Sequence, residues 1–424
     1  MGRHSRARAL GIDFGTSNST AGWLRPGQDT LIPLEDGSIT LPSVVFFNYE
    51  EEVCRFGRRA LADYMEGYEG RLMRSLKSLL GSSLMEGQTE VQGRPLPFRH
   101  LLSLFIREIR QRAEAHSDRA FDQVVLGRPV FFVDDDPAAD RLAEDTLGAI
   151  AREVGFRDVS FQFEPIAAAF DYESRLDREE RVLIVDIGGG TSDFSLVRLS
   201  PERSRLDDRR DDLLATGGIH IGGTDFDRQL SLAGLMPLFG FRSRLKNNAE
   251  MPSAQFFNLA TWHTINFAYT RKAWSDLSDV FADAREPALL DRLFELIRQR
   301  AGHRLAMQVE DAKIALSGNA TARVDLEHIE KGLFAALTRE GFDQAIEAQT
   351  DQVARTVGRL LADAGLNGSR IDTVFFTGGS SGVPLLRERI ARALPEARHV
   401  EGNLFGSIGS GLAIEAARRY GSED

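Results

Sequence analysis

The chain has 424 residues, 42% hydrophobic and 27% charged, which is the balance of a folded protein of two to three domains with a sizeable core. A formal net charge of −11 argues against nucleic acid or an anionic membrane as the main partner, and no apolar run approaches the roughly 20 residues of a membrane-spanning helix. Cys54 is the single cysteine, so no internal disulfide forms, and the expected setting is a reducing cytoplasm.

Residues 1–8 are basic with no apolar stretch behind them, and read as a tail rather than a secretory leader. Next comes Leu10-Gly-Ile-Asp-Phe-Gly-Thr-Ser-Asn-Ser-Thr, an apolar run broken by Asp13 and then by Gly15, Thr16 and Ser17. Residues 10–50 read as strands and turns, ending in the Val44-Val-Phe-Phe run. Periodicity predicts helices over 56–80 and 98–117, the second carrying Leu101, Leu104, Phe105, Ile109 and Ala113 on one side. Val124-Val-Leu-Gly-Arg-Pro-Val-Phe-Phe is strand-like, Asp134-Asp-Asp-Pro is a turn, and a helix over 138–154 stops at Gly155. Glu164-Pro165 opens another helix, which the charged run 178–181 terminates.

The stretch 182–185, Val-Leu-Ile-Val, is β-branched and apolar and reads as a buried strand. Asp186 interrupts it, Gly188, Gly189 and Gly190 follow, then Thr191, Ser192 and Asp193, and the alternation resumes at Phe194 and Leu196. This is strand–turn–strand, which disfavours the Walker and Rossmann loops, since both need a helix after the glycines. Beyond it, 200–212 is a charge-rich loop expected to be solvated, and 231–304 is helical without a motif. An amphipathic helix over 305–317 carries Glu310, Lys313 and Ser317, a long helix covers 341–365, a strand covers 371–377, and a last helix spans 407–420.

The two hairpins repeat one order of residues: apolar strand, Asp, glycine, hydroxyls. One such turn alone is more often a plain turn. Two copies with matched Asp13 and Asp186 describe similar lobes facing one ligand. Bare N–H groups and hydroxyls from Gly15, Thr16, Ser17, Gly188, Gly189, Gly190 and Thr191 can hold phosphate oxygens, and Asp13 and Asp186 can hold a hydrated Mg²⁺ between them. Asp193 is either a further site carboxylate or an ordinary turn residue.

These hairpins resemble the phosphate loops of the actin, hexokinase and DnaK superfamily of ATPases. Gln162-Phe-Glu-Pro-Ile-Ala-Ala-Ala-Phe resembles its first connecting segment, Val374-Phe-Phe-Thr-Gly-Gly-Ser-Ser-Gly-Val-Pro its adenosine loop, and Gly406-Ser-Ile-Gly-Ser-Gly-Leu-Ala its second connecting helix. With Gly-Ile-His-Ile-Gly-Gly-Thr-Asp-Phe-Asp at 218–227, the set looks like the DnaK chaperone branch. Gly155-Phe-Arg-Asp-Val and Phe405-Gly-Ser look most like its bacterial YegD-type members.

The resemblance implies an α/β fold of two ribonuclease-H-like lobes with ATP or ADP and Mg²⁺ in the cleft. Lobe I would span 8–178 with the helix 406–420. Lobe II would span 179–405, with an outer helical subdomain over about 231–330. It implies Asp186, Glu164 and Asp13 as the catalytic carboxylates. It places nucleotide contacts at Gly222, Gly223, Asp225, Glu310, Lys313, Ser317, Gly378, Gly379 and Ser380. Three departures stand out. Counting from Gly57, Leu61 falls where the family's catalytic lysine is expected, with Arg58, Arg59 or Lys77 as substitutes, Lys77 reading as a surface lysine on another helix. Ile314 and Gly382 stand where adenine-stacking arginines are expected. The sequence stops where the family's linker and peptide-binding domain would begin. The expected function is therefore that of a DnaK-like ATP-binding chaperone reduced to its nucleotide-binding half, slow in turnover, with a protein client or co-chaperone as partner. A filament-forming actin-like protein and a small-molecule kinase are the other classes that share these hairpins.

Overall fold

Two five-stranded sheets organise the chain, and they have the same plan. A computed structural model describes residues 9–25, 27–133, 136–206, 208–402 and 406–421; the tail 1–8, Asp134 and Asp135 of the expected turn, and Phe405 lie outside them. The first sheet runs, edge to edge, Asp158–Phe163, Gln123–Arg128, Ala9–Asp13, Asn18–Gly22, Thr40–Pro42. The second runs Arg398–Glu401, Thr373–Thr377, Glu180–Ile187, Ser192–Leu199, Leu213–Ile219. In each, the first three strands are parallel and the next two return antiparallel. The two Asp-tipped strands occupy the same central place, so the repeat seen in the sequence is a repeat of whole lobes.

Alternation explains why 182–185 is apolar at every position. Leu183, Val185 and Ile187 enter the second lobe's core with Phe226 and Phe376, while Val182 and Ile184 face a separate cluster containing Ile166, Phe375 and Leu412. A strand buried on both faces has no polar position to spare. The second cluster holds the helices Glu164–Glu173 and Ser407–Tyr420, which pack on each other. The C-terminal helix also lies on the first sheet. Where the helices cross, a Cβ at Gly411 would overlap the Ala167 carbonyl, so the backbones touch directly.

Several expected elements differ. The helices over 98–117, 138–154, 305–317, 341–365 and 407–420 are present as Phe98–Ser117, Pro137–Val154, Gly302–Gly318, Arg339–Asp363 and Ser407–Tyr420. The helix opened by Glu164 ends at Glu173, short of the charged run. The stretch 56–80 is not one helix. Gly57–Glu66 is helical and stops at Gly67 in the left-handed region (φ 90°). The strand Gly70–Arg74 then pairs with Val44–Asn48, and a single 3₁₀ turn, Leu76–Leu79, follows. The loop over 200–212 is not wholly solvated either. Arg209 and Asp212 are buried, Arg209 forms a two-pronged pair with Glu173 (2.8 and 3.0 Å), and Asp212 takes both Arg209 and Arg203. Their charges cancel one another, which is what allows them inside.

Candidate functional site

The hairpin tips of the two sheets meet. A Cβ built on Gly189 would collide with the Ser17 side chain, so the first tip, with Gly15, Thr16 and Ser17, faces the second, with Gly188, Gly189 and Gly190. Each tip is braced from its own lobe. Ser43 donates its hydroxyl to the Gly15 carbonyl (2.7 Å) and its N–H to the Ser17 carbonyl (2.8 Å). The N–H groups of Gly223 and Thr224 donate to the carbonyls of Gly188 and Gly189 (3.0 and 2.7 Å), and the Thr224 hydroxyl adds a second bond to Gly189 (2.8 Å). Thr191 donates its hydroxyl to Asp193 (2.7 Å), which fixes the turn.

Behind the tips lies a carboxylate cluster. Asp13 ends one central strand, Asp186 is the last residue but one of the other, and Glu164 opens the first connecting helix. Burial first, then the neighbouring Glu164, push Asp13 up to about 7 against a partial pull from Lys77. Burial, then Asp193, Glu164 and Asp13, push Asp186 up to about 8. Glu164 itself is buried at the start of the helix, and the first-turn position suits a negative charge.

Lys77 supplies the positive charge. Its amine donates to Glu164 Oε1 at 2.6 Å, with both side chains about nine-tenths buried. Burial alone would lower the Lys77 amine; Glu164, Asp13 and Asp186 outweigh it and raise the amine above its usual value. Of the substitutes for the lysine expected at Leu61, Lys77 is the one that pairs with Glu164 near Asp13 and Asp186. Leu61 packs against Val44, Phe46 and Ala60 on the outside of the first lobe, and Arg58 is turned to Glu35 and Thr40. Lys77 is neither on a helix of the Gly57–Glu66 kind nor on the surface.

The remaining candidates divide between two levels. Gly222 and Gly223 open a helix, Gly223–Leu230, against the second hairpin, and Asp225 accepts from the Gly222 N–H (2.9 Å). Gly223 abuts Ser380 and Lys313, so the third loop, the Gly378-Gly379-Ser380 turn and the helix Gly302–Gly318 converge. Gly378 needs its positive φ (79°), and a Cβ there would strike Asp186. Lys313 is buried and bonded to Asp227 (2.9 and 3.0 Å) and to the Gly223 carbonyl (3.3 Å). Glu310, one turn earlier, is exposed, and the Ser317 hydroxyl turns back to the Lys313 carbonyl (3.2 Å). Asp227, Ser43 and Lys77 are the residues that sequence reasoning misses or misplaces. Asp227 closes the 218–227 motif, which signals it, and Ser43 lies in Leu41-Pro-Ser-Val-Val, which resembles the family's stretch after the first hairpin without marking the serine.

The donor set suits Mg²⁺. No three His, Cys, Asp or Glu side chains among the described residues converge to hold a bare ion. Two buried carboxylates whose ionisation a cation would favour, with oxygen ligands from water and phosphate making up the rest, are what that ion takes. No helix among the described residues is long and apolar enough to cross a membrane.

Two lobes of one plan, joined by two crossing helices and closing Asp-tipped hairpins over a shared carboxylate–lysine cluster, define the two-lobed fold of the actin-like ATPases. The pattern of the Hsp70 protein family matches residues 9–235 and 295–423, and the chain belongs to that family. Hsp70 proteins bind ATP and ADP with Mg²⁺ and work with client proteins and co-chaperones, so the class of nucleotide and the chaperone setting follow from the membership.

Proposed function

We propose that the protein binds Mg²⁺-ATP between the hairpins and hydrolyses it by in-line attack of water on the γ-phosphoryl group, as a chaperone-type ATPase of the YegD-like branch. The observation that carries this is the Lys77–Glu164 pair, with Asp13 and Asp186 close enough to act on the same amine. In this reading lobe I spans 8–178 with the helix 406–420, and lobe II spans 179–405. The tips, with Gly15, Thr16, Ser17, Gly188, Gly189, Gly190 and Thr191, hold the phosphates. Asp13 and Asp186 hold the hydrated metal, which when bound draws charge from the phosphoryl oxygens. Asp186 orients the attacking water, and Glu164 holds Lys77 so that its amine reaches the transferring group. Gly222, Gly223, Glu310, Lys313, Ser317, Gly378, Gly379 and Ser380 form the nucleoside side. Opening and closing of the lobes transmits the nucleotide state to a client or co-chaperone.

The expectation of slow turnover rests on Leu61; in this reading Lys77 takes the part of the lysine expected there, and the hydrolysis rate decides between the two. Calorimetry with ATP, with and without Mg²⁺, followed by single-turnover hydrolysis of the purified chain, tests the proposal. Binding that needs Mg²⁺ and a hydrolysis rate above the buffer rate are expected. Absence of ATP binding overturns the reading.

A further inference from the structure

The connecting helices are not the only bridge between the lobes. The strand Gly70–Arg74 belongs to the first lobe's small outer sheet and ends on Arg74, which is paired with Val44. The Arg74 guanidinium lies 3.9 Å from the ring centroid of Trp262, in the second lobe's outer helical part. The carboxylates of Glu310 and Asp227, also from the second lobe, act on the same guanidinium. A second strut stands beside it. Tyr64, on the helix Gly57–Glu66, places its hydroxyl 3.0 Å from His303 Nδ1, and the His303 ring meets Trp262 edge-on at 4.7 Å. Guanidinium, indole, imidazole and phenol thus form one continuous stack, with Arg74 and Tyr64 from one lobe and Trp262 and His303 from the other. Trp262 lies in the stretch between the two matched segments of the family pattern.

The stack is tied to the reaction site by a very short piece of chain. Only Ser75 and Leu76 lie between Arg74 and Lys77, a reach of at most about 10 Å. Ser75 is left-handed (φ 56°, ψ 41°), and its carbonyl accepts from both the Ser78 N–H (3.1 Å) and the Ser78 hydroxyl (2.7 Å). Leu76 is fully buried in the first lobe's core. On one side of this kink Arg74 points to the opposite lobe; on the other, Lys77 points to Glu164. A kink of this kind in a serine persists only while its surroundings hold it.

We propose that Arg74 is a positioning residue for Lys77: seated on Trp262 when the lobes close, it holds the Ser75 kink and so places the Lys77 amine among Glu164, Asp13 and Asp186. Separation of the lobes frees Arg74, lets the kink relax and withdraws the amine. Closure and the arming of the site are then one event. The consequence for turnover rests on the ATPase reading above, while the placement of Lys77 does not.

The chain offers a direct readout because it has five lysines: Lys77, Lys246, Lys272, Lys313 and Lys331. Lys246, Lys272 and Lys331 are exposed and serve as internal references. The folded, nucleotide-free chain is treated briefly with a lysine-acylating ester, and each site is quantified by mass spectrometry in the wild type, Arg74→Ala, Arg74→Lys and Trp262→Leu. In the wild type Lys77 reacts far more slowly than the references. In Arg74→Ala and Trp262→Leu its rate relative to them rises severalfold. Arg74→Lys, which keeps a cation over the indole, retains most of the protection. In single-turnover hydrolysis, Arg74→Ala loses about tenfold in rate with ATP affinity nearly unchanged, the size expected of a displaced group rather than a lost one. Unchanged relative labelling of Lys77 in both Arg74→Ala and Trp262→Leu overturns the proposal. If no form of the protein binds ATP, the ATPase reading falls and the labelling still decides this one. Should Arg74→Ala fail to fold, the labelling of Trp262→Leu decides alone.

Discussion

Replacing Lys77 by methionine keeps the length of the side chain and removes only its charge. In the wild type the amine and Glu164 Oε1 are 2.6 Å apart with both groups largely out of water. At an effective dielectric constant of about 20 their gross attraction is about 6 kcal/mol. Much of it offsets desolvation, and breaking such a pair by removing one partner costs about 3–5 kcal/mol because the other charge stays behind. The nucleotide-free Lys77→Met protein is therefore less stable by about that amount near neutral pH, and Lys77→Met/Glu164→Gln recovers most of it. On the reaction the loss is larger than on binding. A preorganised charge acting on developing phosphoryl charge is worth about 10²–10³ in rate, whereas the hairpins and both aspartates remain to hold Mg²⁺-ATP. Urea denaturation of the single and double variants measures the first effect, and single-turnover hydrolysis beside calorimetric binding measures the second. Wild-type hydrolysis by Lys77→Met, or a double variant no more stable than the single one, would refute the placement of this lysine in the chemistry.

Asp186→Asn is expected to lower single-turnover hydrolysis more than ATP affinity; equal rates in variant and wild type would remove Asp186 from its role. Asp13 and Asp186 titrate at about 7 and about 8 in the folded protein against 3.8 unfolded, so the stability they contribute without a cation is present below about pH 4 and lost as pH rises through 7–8. Binding Mg²⁺-ADP requires both to ionise, so calorimetry between about pH 5 and 7 should show release of up to two protons, read as a dependence on buffer ionisation heat and vanishing above about pH 9. His303 is held down to about 4 by burial and by the charge of Arg74, and its stabilising contribution is present above about pH 6.5 and lost as pH falls through 4; an NMR titration of its ring that moved near pH 6.5 would contradict the stack. Gly411→Val should be worse than most core changes, at roughly 3 kcal/mol or more, because the new atoms meet the Ala167 backbone and not a movable side chain; near-wild-type thermal stability would mean that the helices do not cross as described.

The hairpins are legible in the sequence because each carries its own punctuation: a β-branched run, a carboxylate, glycine and hydroxyls, then renewed alternation. Helices such as Phe98–Ser117 are equally plain, since a full apolar stripe recurs over their length. Lys77 is hidden by a false continuity. Arg71-Leu-Met-Arg74 fits a helical stripe as readily as a strand, and only pairing with Val44–Asn48, distant in sequence, decides between them. Counting on from Gly57 leads to Leu61, and a helical reading of 56–80 gives no sign that a strand ends at Arg74 and that Lys77 turns inward after it. Arg209 misleads for a related reason. Charge density marks a solvated loop when charges are counted singly, but Glu173, which balances Arg209, sits 36 residues away. In both cases the missing information is a long-range partner.

The strand Glu180–Ile187 separates two kinds of damage that sequence proximity would suggest are one. Leu183 and Ile184 are neighbours, equally apolar and equally buried, yet they belong to different cores. Hollowing out Leu183 weakens the second lobe from within. Hollowing out Ile184 leaves that lobe's interior intact and slackens the seam along which the lobes bear on the connecting helices. Every second residue of this strand thus speaks for the rigidity of a part, and the residues between speak for the fit of the parts, while Asp186 at its tip depends on both.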